Sequence, residues 1–309
     1  MTSEELLQKV RKIEIKTHGL SRNIFAGEYH SQFKGRGMAF SEVREYQPGD
    51  DVRSIDWNVT ARMARPYIKI YEEERELTVM LLVDVSGSRN FGTISQMKRD
   101  TTAEVAATLA FSTIENNDKV GVIFFSDQVE KFIPPKKGKS HVLHIIRELL
   151  SFEPEHTGTD INAALEFLTN AQKRRCTAFV ISDFITPPRE SSTTVHWTLD
   201  RAELFTPQGR GHIDPVVIAS RKHDLNVIQI YDRRDEELPD VGLLKIRDAE
   251  SGERVWVDTS LASTRNAYAK AWQTQQAALE TLFSKTGINH VSMRTDEDYV
   301  KKLMMLFHN

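Results

Sequence analysis

The sequence predicts an α/β fold, a mainly parallel sheet flanked by helices, and three observations carry that prediction. Four short apolar runs, at 78–83, 119–125, 177–182 and 225–231, have the length and unbroken hydrophobicity of strands buried on both faces. Segments of helical period separate them, the rhythm of strand–helix–strand units joined by crossovers. The first and third runs stop at polar turns, Asp84-Val-Ser86-Gly-Ser88 and Ser182-Asp183. The carboxyl ends of strands are where open parallel sheets hold their ligands.

Residues 1–75 fall outside this rhythm. A short helix is expected first, then polar and glycine-rich segments such as Phe33-Lys-Gly-Arg-Gly37 and Gln47-Pro-Gly-Asp-Asp51, together a small N-terminal β-containing lobe. Residues 76–309 make the α/β domain. After its first strand, Val105, Leu109 and Ile114 recur at near-helical spacing with alanines between them, so a helix is expected over 97–114. The second strand, 119–125, is followed by a short antiparallel partner over 129–133 that Pro134-Pro135 should end. Helices are expected over 141–150 and 161–173, parted by the turn His156-Thr-Gly-Thr159. The third strand leads into 186–213, rich in Pro, Ser and Thr, an inserted loop of a length usually tied to function or mobility. Beyond the fourth strand, 242–246 and 254–257 should pair as a hairpin around Glu250-Ser-Gly-Glu253. A long helix over 260–285, a strand over 290–293 and a helix from Asp296 close the chain.

The composition narrows the function. With 309 residues, 39% of them hydrophobic and 28% charged, the chain can bury a sizeable core. A formal net charge of -3 argues against a general nucleic-acid binder, which is usually clearly basic. Arg36, Arg44, Arg53, Arg62, Arg65 and Lys69 are interleaved with Glu42, Asp50, Asp51 and Asp56, a pattern of solvated ion pairs. Trp57, Tyr46 and Phe40 are expected in the core of the lobe. Cys176 is the single cysteine, so no intramolecular disulfide forms, and its place at the head of an apolar run predicts burial. Met1-Thr-Ser-Glu-Glu-Leu-Leu has no signal-peptide pattern, and no run approaches the roughly 18 apolar residues of a membrane span. A cytoplasmic protein with no direct membrane insertion is expected.

Three loops should meet at one edge of the sheet. They carry Asp84, Ser86 and Ser88; Thr157-Gly-Thr159-Asp160 ahead of a helix; and Asp183. Two carboxylates and three hydroxyls, with no His or Cys among them, form a hard oxygen set that suits Mg²⁺, Mn²⁺ or Ca²⁺ better than zinc or copper.

Asp84-x-Ser86-x-Ser88, Thr159 in its Gly-Thr turn and Asp183 at a strand end together resemble the metal-ion-dependent adhesion site of von Willebrand A and integrin I-type domains. The resemblance implies a Rossmann-like von Willebrand A fold in which Ser86 and Ser88 are direct ligands. Thr159 would be a direct or switchable ligand, and Asp84 and Asp183 would act directly or through water. One coordination position would be left for an acidic side chain of a protein partner. Further motifs resemble the DUF58 family of bacterial proteins. They are Phe33-Lys-Gly-Arg-Gly37, the stretch Glu42-Val-Arg-Glu-Tyr-Gln-Pro-Gly-Asp-Asp-Val-Arg-Ser-Ile-Asp-Trp57, Tyr71-Glu-Glu-Glu-Arg75, His223-Asp224, Glu237-Leu-Pro-Asp240 and Asp258-Thr-Ser260. Such proteins are typically encoded beside MoxR-type AAA+ ATPases, some in clusters linked to aerotolerance. The implied role is a non-catalytic, metal-dependent adaptor or co-chaperone of such an ATPase. The 186–213 segment is longer than the usual connection.

The rival expectation is a magnesium-dependent hydrolase or phosphatase with Asp84 as nucleophile. The haloacid-dehalogenase pattern places a second Asp two residues on, where this chain has Ser86. No general base for Ser86 or Ser88 is legible, and there is no Gly-x-x-x-x-Gly-Lys-Ser/Thr phosphate loop. Catalysis is therefore not expected.

Overall fold

The computed structural model describes residues 39–72, 77–93, 97–185, 215–247 and 254–308, with Gln8, Val10, Arg11 and Gly252. The inserted loop at 186–213 and the Phe33-Lys-Gly-Arg-Gly37 segment lie outside the described residues. Of the expected N-terminal helix, Gln8, Val10 and Arg11 are described, and they are helical. The chain divides into two compact units, one of them Tyr29–Leu77 and the other containing Thr78–Asn309.

The smaller unit is built on an antiparallel ribbon of β1 (Ala39–Glu45) and β2 (Tyr67–Glu72), with a bulge between Phe40 and Glu42. Helix α1 (Trp57–Met63) lies between them in sequence. Asp56 caps it by accepting the Asn58 and Val59 N–H groups, and Ala64 ends it in the left-handed region. The interleaved charges do form ion pairs, Arg44–Asp50 at 2.7 Å, Arg65–Glu45 at 3.3 Å and Lys69–Asp56 at 3.3 Å. The expectation for Trp57 is corrected. It opens a helix too short to fold both ends against a two-stranded ribbon, and its side chain is 71% exposed.

The larger unit holds a six-stranded sheet in the order β10-β7-β6-β3-β4-β5. Its strands are β3 (Thr78–Asp84), β4 (Lys119–Phe125), β5 (Val129–Lys136), β6 (Thr177–Ser182), β7 (Asp224–Tyr231) and β10 (Asn289–Arg294). All neighbours are parallel except β4 and β5. β3 is central, in register with β4 from Thr78↔Lys119 to Asp84↔Phe125 and with β6 from Val79↔Thr177 to Val83↔Ile181. Its side chains are buried on both faces, as the unbroken apolar run requires.

Helices cover both faces. Met80, Leu82, Ile123, Phe125, Ala178 and Val180 join one core cluster with Ile161 and Leu165 of α4 (Ile161–Ala171), Val216 of α5 (Pro215–Lys222) and Phe283 of α7 (Ala262–Thr286). Across the sheet, α2 (Lys98–Glu115) lies along β3, β4, β6 and β7 and packs on α3 (Lys139–Ser151), while Phe307 of α8 (Tyr299–His308) meets Phe179 edge-on. α2 is buried nearly all round. Its alanines allow close approach, and Thr108, Ser112 and Thr113 return their hydroxyls to the carbonyls of Glu104, Leu109 and Ala110. Between β7 and α7 come the four-residue α6 (Arg233–Glu236) and the hairpin β8 (Leu243–Arg247) with β9 (Arg254–Asp258). Cys176 is buried as expected, and burial pushes its thiol up to about 12. Among the described residues, no helix is long and apolar enough to cross a membrane.

Two differences from the sequence reading have physical causes. β5 does not stop at Pro134-Pro135 but runs through both prolines to Lys136. It is the edge strand, and its register to β4 shifts between Val122↔Ile133 and Val120↔Lys136, so the prolines fall in a bulge that needs no ladder N–H. Helix α5 went unnoticed because it begins two residues beyond the expected insertion and spans only about two turns.

The bulge dictates a glycine opposite it. A Cβ on Gly121 would lie 2.9 Å from Ile133 O, Pro135 N and the Met80 sulfur, two of which are backbone atoms that cannot rotate away. Gly121→Ala should therefore destabilise the protein by about 1–3 kcal/mol, seen as a lower urea midpoint at unchanged slope. An unshifted midpoint would contradict this packing.

Candidate metal centre

β3 connects onward to β4 on one side, while its other neighbour, β6, arrives from a later crossover. The loops leaving β3 and β6 therefore part at their carboxyl ends and leave a crevice at the switch point of the sheet. Asp84 is the last residue of β3 and Asp183 follows the last residue of β6. The fold thus brings the two predicted carboxylates together without any special loop.

Asp84 is held by neutral donors. Its Oδ1 accepts the Ser86 N–H at 2.8 Å, and its Oδ2 accepts the Ser182 hydroxyl at 2.6 Å. The first bond folds the chain back, so that the Ser86 and Ser88 hydroxyls lie side by side and hydrogen-bond to each other, with 3.0 Å between the Oγ atoms. A one-turn 3₁₀ segment, Gly87–Asn90, fixes that spacing. The Gly87 N–H donates to Thr157 O at 3.0 Å and seats the second loop against the first. Thr159, two residues on, is half-buried, and Asp160 caps α4 by accepting the Asn162 and Ala163 N–H groups. Asp160 is therefore committed to the helix.

Asp183 is held differently. Its Oδ1 accepts the Ile185 N–H at 3.0 Å, and its Oδ2 accepts the Lys98 ammonium at 2.8 Å. Lys98, only 3% exposed, also reaches Asp235 of α6 at 2.8 Å. Asp235 is itself fixed, accepting the Asp232 N–H in a capping box. Phe184, between Asp183 and Ile185, takes a left-handed conformation with φ 57, costly for a bulky residue by about 1–2 kcal/mol. Hydrogen bonds hold that kink, from the Phe184 N–H to Ser182 Oγ and from Gln275 to Phe184 O.

The electrostatics follow this division. Burial, then the charge of Asp183, pushes Asp84 up to about 6, against the hydrogen bonds from Ser182 and Ser86. No ion pair reaches Asp84 among the described residues. Burial alone would lower Lys98, but Asp183 and Asp235 outweigh it and raise the ammonium above its ordinary value. Burial also raises Asp235, with Lys98 opposing.

A hard divalent ion fits this oxygen set in one measurable respect. Neighbouring ligands on an octahedron with bonds near 2.1 Å sit about 3.0 Å apart, the spacing of the two serine hydroxyls. Ser86 and Ser88 would hold such an ion, with Thr159 from the adjoining loop and the carboxylates through their remaining lone pairs or through water. When bound, the ion would supply the positive charge that Asp84 lacks. Among the described residues, no three His, Cys, Asp or Glu side chains are grouped to hold a metal by themselves, so an ion here would draw on the hydroxyls.

Lys98, Ser182 and Asp235 are the site residues that sequence reasoning did not assign. A signal existed for Asp235. Asp232-Arg-Arg-Asp235 follows the fourth apolar run at the same edge of the sheet, where the first and third runs had already been inspected.

The raised Asp84 makes a pH prediction for chelator-treated protein. Its folded value, about 6, lies above the unfolded value near 3.9, so the folded state binds the proton more tightly. This contribution to stability is fully present below pH 4 and is lost as pH rises through 6, by about 2–3 kcal/mol. Asp84→Asn should flatten that part of the pH–stability curve in urea titrations. An identical slope in both proteins would show that Asp84 is not buried in its charged form.

Comparison with known proteins identifies the family. The model for "Protein of unknown function DUF58" matches residues 42–278. The uncharacterized protein Rv1480 of Mycobacterium tuberculosis is 29% identical over 304 residues, 97% of this chain and 88% of its own. Among solved structures, the conserved hypothetical protein BatB from Bacteroides thetaiotaomicron is 16% identical. It covers 75% of this chain and 97% of its own with a TM-score of 0.42. The SpRpn10 VWA domain is 12% identical and covers 74% of this chain and 94% of its own, with a TM-score of 0.36. The family match alone spans well over half of the sequence, and the chain belongs to the DUF58 family.

Proposed function

We propose that this protein is a non-catalytic interaction module. It holds Mg²⁺ or a similar divalent cation at Asp84, Ser86, Ser88, Thr159 and Asp183, and it captures an acidic side chain of a protein partner on that ion. The observation that carries this reading is the pair of serine hydroxyls 3.0 Å apart beside a buried carboxylate that, among the described residues, no ion pair reaches. A partner carboxylate completing the coordination would add a directional charge contact at the centre of the interface, of a kind whose loss costs a few kcal/mol. The net charge of -3 favours a protein over a nucleic acid as the partner.

The same geometry speaks against Asp84 as a nucleophile. The groups bonded to its oxygens are the Ser86 N–H and the Ser182 hydroxyl, and Ser86 stands where a phosphotransfer site would place a second carboxyl to act as the acid. Identification of the partner as a MoxR-type AAA+ ATPase, with the protein acting as its adaptor or co-chaperone in the cytoplasm, rests on the DUF58 resemblance.

Titration calorimetry with Mn²⁺ tests the cation. Wild-type protein should bind one ion, and Ser86→Ala with Ser88→Ala should abolish binding. Equal binding by both proteins would remove the site assignment. Capture of a MoxR-type ATPase from the same genome should in turn be lost in EDTA and in the double variant. Capture that persists in both would place the interface elsewhere.

A further inference from the structure

The two predicted carboxylates are held in unlike ways. Asp84 meets only neutral donors, whereas Asp183 is bonded to a buried ammonium that it shares with Asp235. Lys98 reaches this position because it is the first residue of α2, with its backbone N–H bonded to Phe91 O at 2.9 Å and its Nζ 5.7 Å from the Phe91 ring centroid. Thr93, earlier in the chain, donates to Asp232 just beyond the carboxyl end of β7 from both its N–H and its hydroxyl. Asp232 and Asp235 are joined in their capping box, so the lysine, its second carboxylate and the strand end form one braced unit.

We propose that Lys98 is a positioning residue of the metal site, a tethered counter-cation that holds Asp183 back from direct contact with the divalent ion. The inference rests on the cation reading given under the proposed function. A carboxylate whose two oxygens are engaged, one by the Ile185 N–H and one by an ammonium at 2.8 Å, acts on the ion through water or a remaining lone pair. Direct ligation by Asp183 would bring the ion toward a fixed positive charge, which a poorly screened interior makes costly. The ion then sits on hydroxyls and water, keeps most of its positive charge, and remains attractive to an external carboxylate. Asp235 takes no part in ligation. It shares the ammonium and keeps Lys98 in place when Asp183 shifts.

Replacing Lys98 alone would strand two buried carboxylates and endanger folding. The informative variant is Lys98→Met with Asp235→Asn, which removes one charge of each sign and leaves Asp183 free. It should bind Mn²⁺ at least about tenfold more tightly than wild type, because a carboxylate replaces water on the ion and a nearby cation is gone. Water-proton relaxation measured per bound Mn²⁺ should fall as that water is displaced, a change that a purely structural role for Lys98 would not produce. Asp235→Asn alone keeps the ammonium on Asp183 and should not tighten binding. Unchanged Mn²⁺ affinity and relaxation in the double variant, with binding still abolished by Ser86→Ala and Ser88→Ala, would overturn the role of Lys98 and leave the cation site standing. No Mn²⁺ binding by wild type or by any variant would overturn the cation reading and this inference together.

Discussion

The strand β3 is hydrogen-bonded along both edges and covered on both faces, and that constraint generates the rest of the site. A strand so enclosed can meet solvent and ligands only at its ends. Its amino end is where the crossovers return, and its carboxyl end is where they part toward β4 and away from β6. Polar side chains that follow Leu82 and Val83 therefore emerge into a gap the sheet cannot close. Asp84, Ser86 and Ser88 occupy that gap, and Asp183 enters it from the neighbouring strand.

Carboxylates packed together in such a gap repel each other and lose hydration, and the protein answers this in two ways. Where charge is to be fixed, it supplies a charge, and Lys98 sits between Asp183 and Asp235 with both contacts at 2.8 Å. Where charge is to stay available, it supplies only dipoles, and Asp84 has the Ser86 N–H and the Ser182 hydroxyl. Hydrogen bonds from neutral groups favour the ionised form less than a full cation does, so burial wins at Asp84 and its pKa rises. Two carboxylates thus share one ammonium, and Asp84 is held by dipoles alone.

Much of this was legible before any coordinates. The buried strands announced themselves because burial on both faces forces an unbroken apolar run, and the edge rule for parallel sheets then pointed to Asp84, Ser86, Ser88, Thr159 and Asp183. What the sequence hid depends on partners far along the chain. Nothing local marks Lys98, and only the meeting of residues 98, 183 and 235 reveals its place. Pro134 and Pro135 read as a strand end because the missing N–H matters only where a ladder bond is needed, and on an edge bulge none is. Trp57 reads as core because an aromatic in a small lobe usually is, yet a helix of seven residues leaves its first side chain outside.

The unequal treatment of the two carboxylates bears on whether a bound ion is structural or exchangeable. A structural ion is one without which the fold fails, because the charges it compensates have no other refuge. Here Asp183 and Asp235 have Lys98, and Asp84 has two hydrogen bonds and a pKa pushed up to about 6. Burial raises Asp235 as well, and keeping Asp84 charged at neutral pH costs the ion-free protein about 2–3 kcal/mol on the scale of its shift. That is less than the 5–15 kcal/mol by which most domains are stable. On the proposed cation reading, an ion that the fold does not require would be free to come and go with a partner. On that reading Lys98 answers the demand of stability by holding Asp183 and Asp235, and Asp84 is left for recognition.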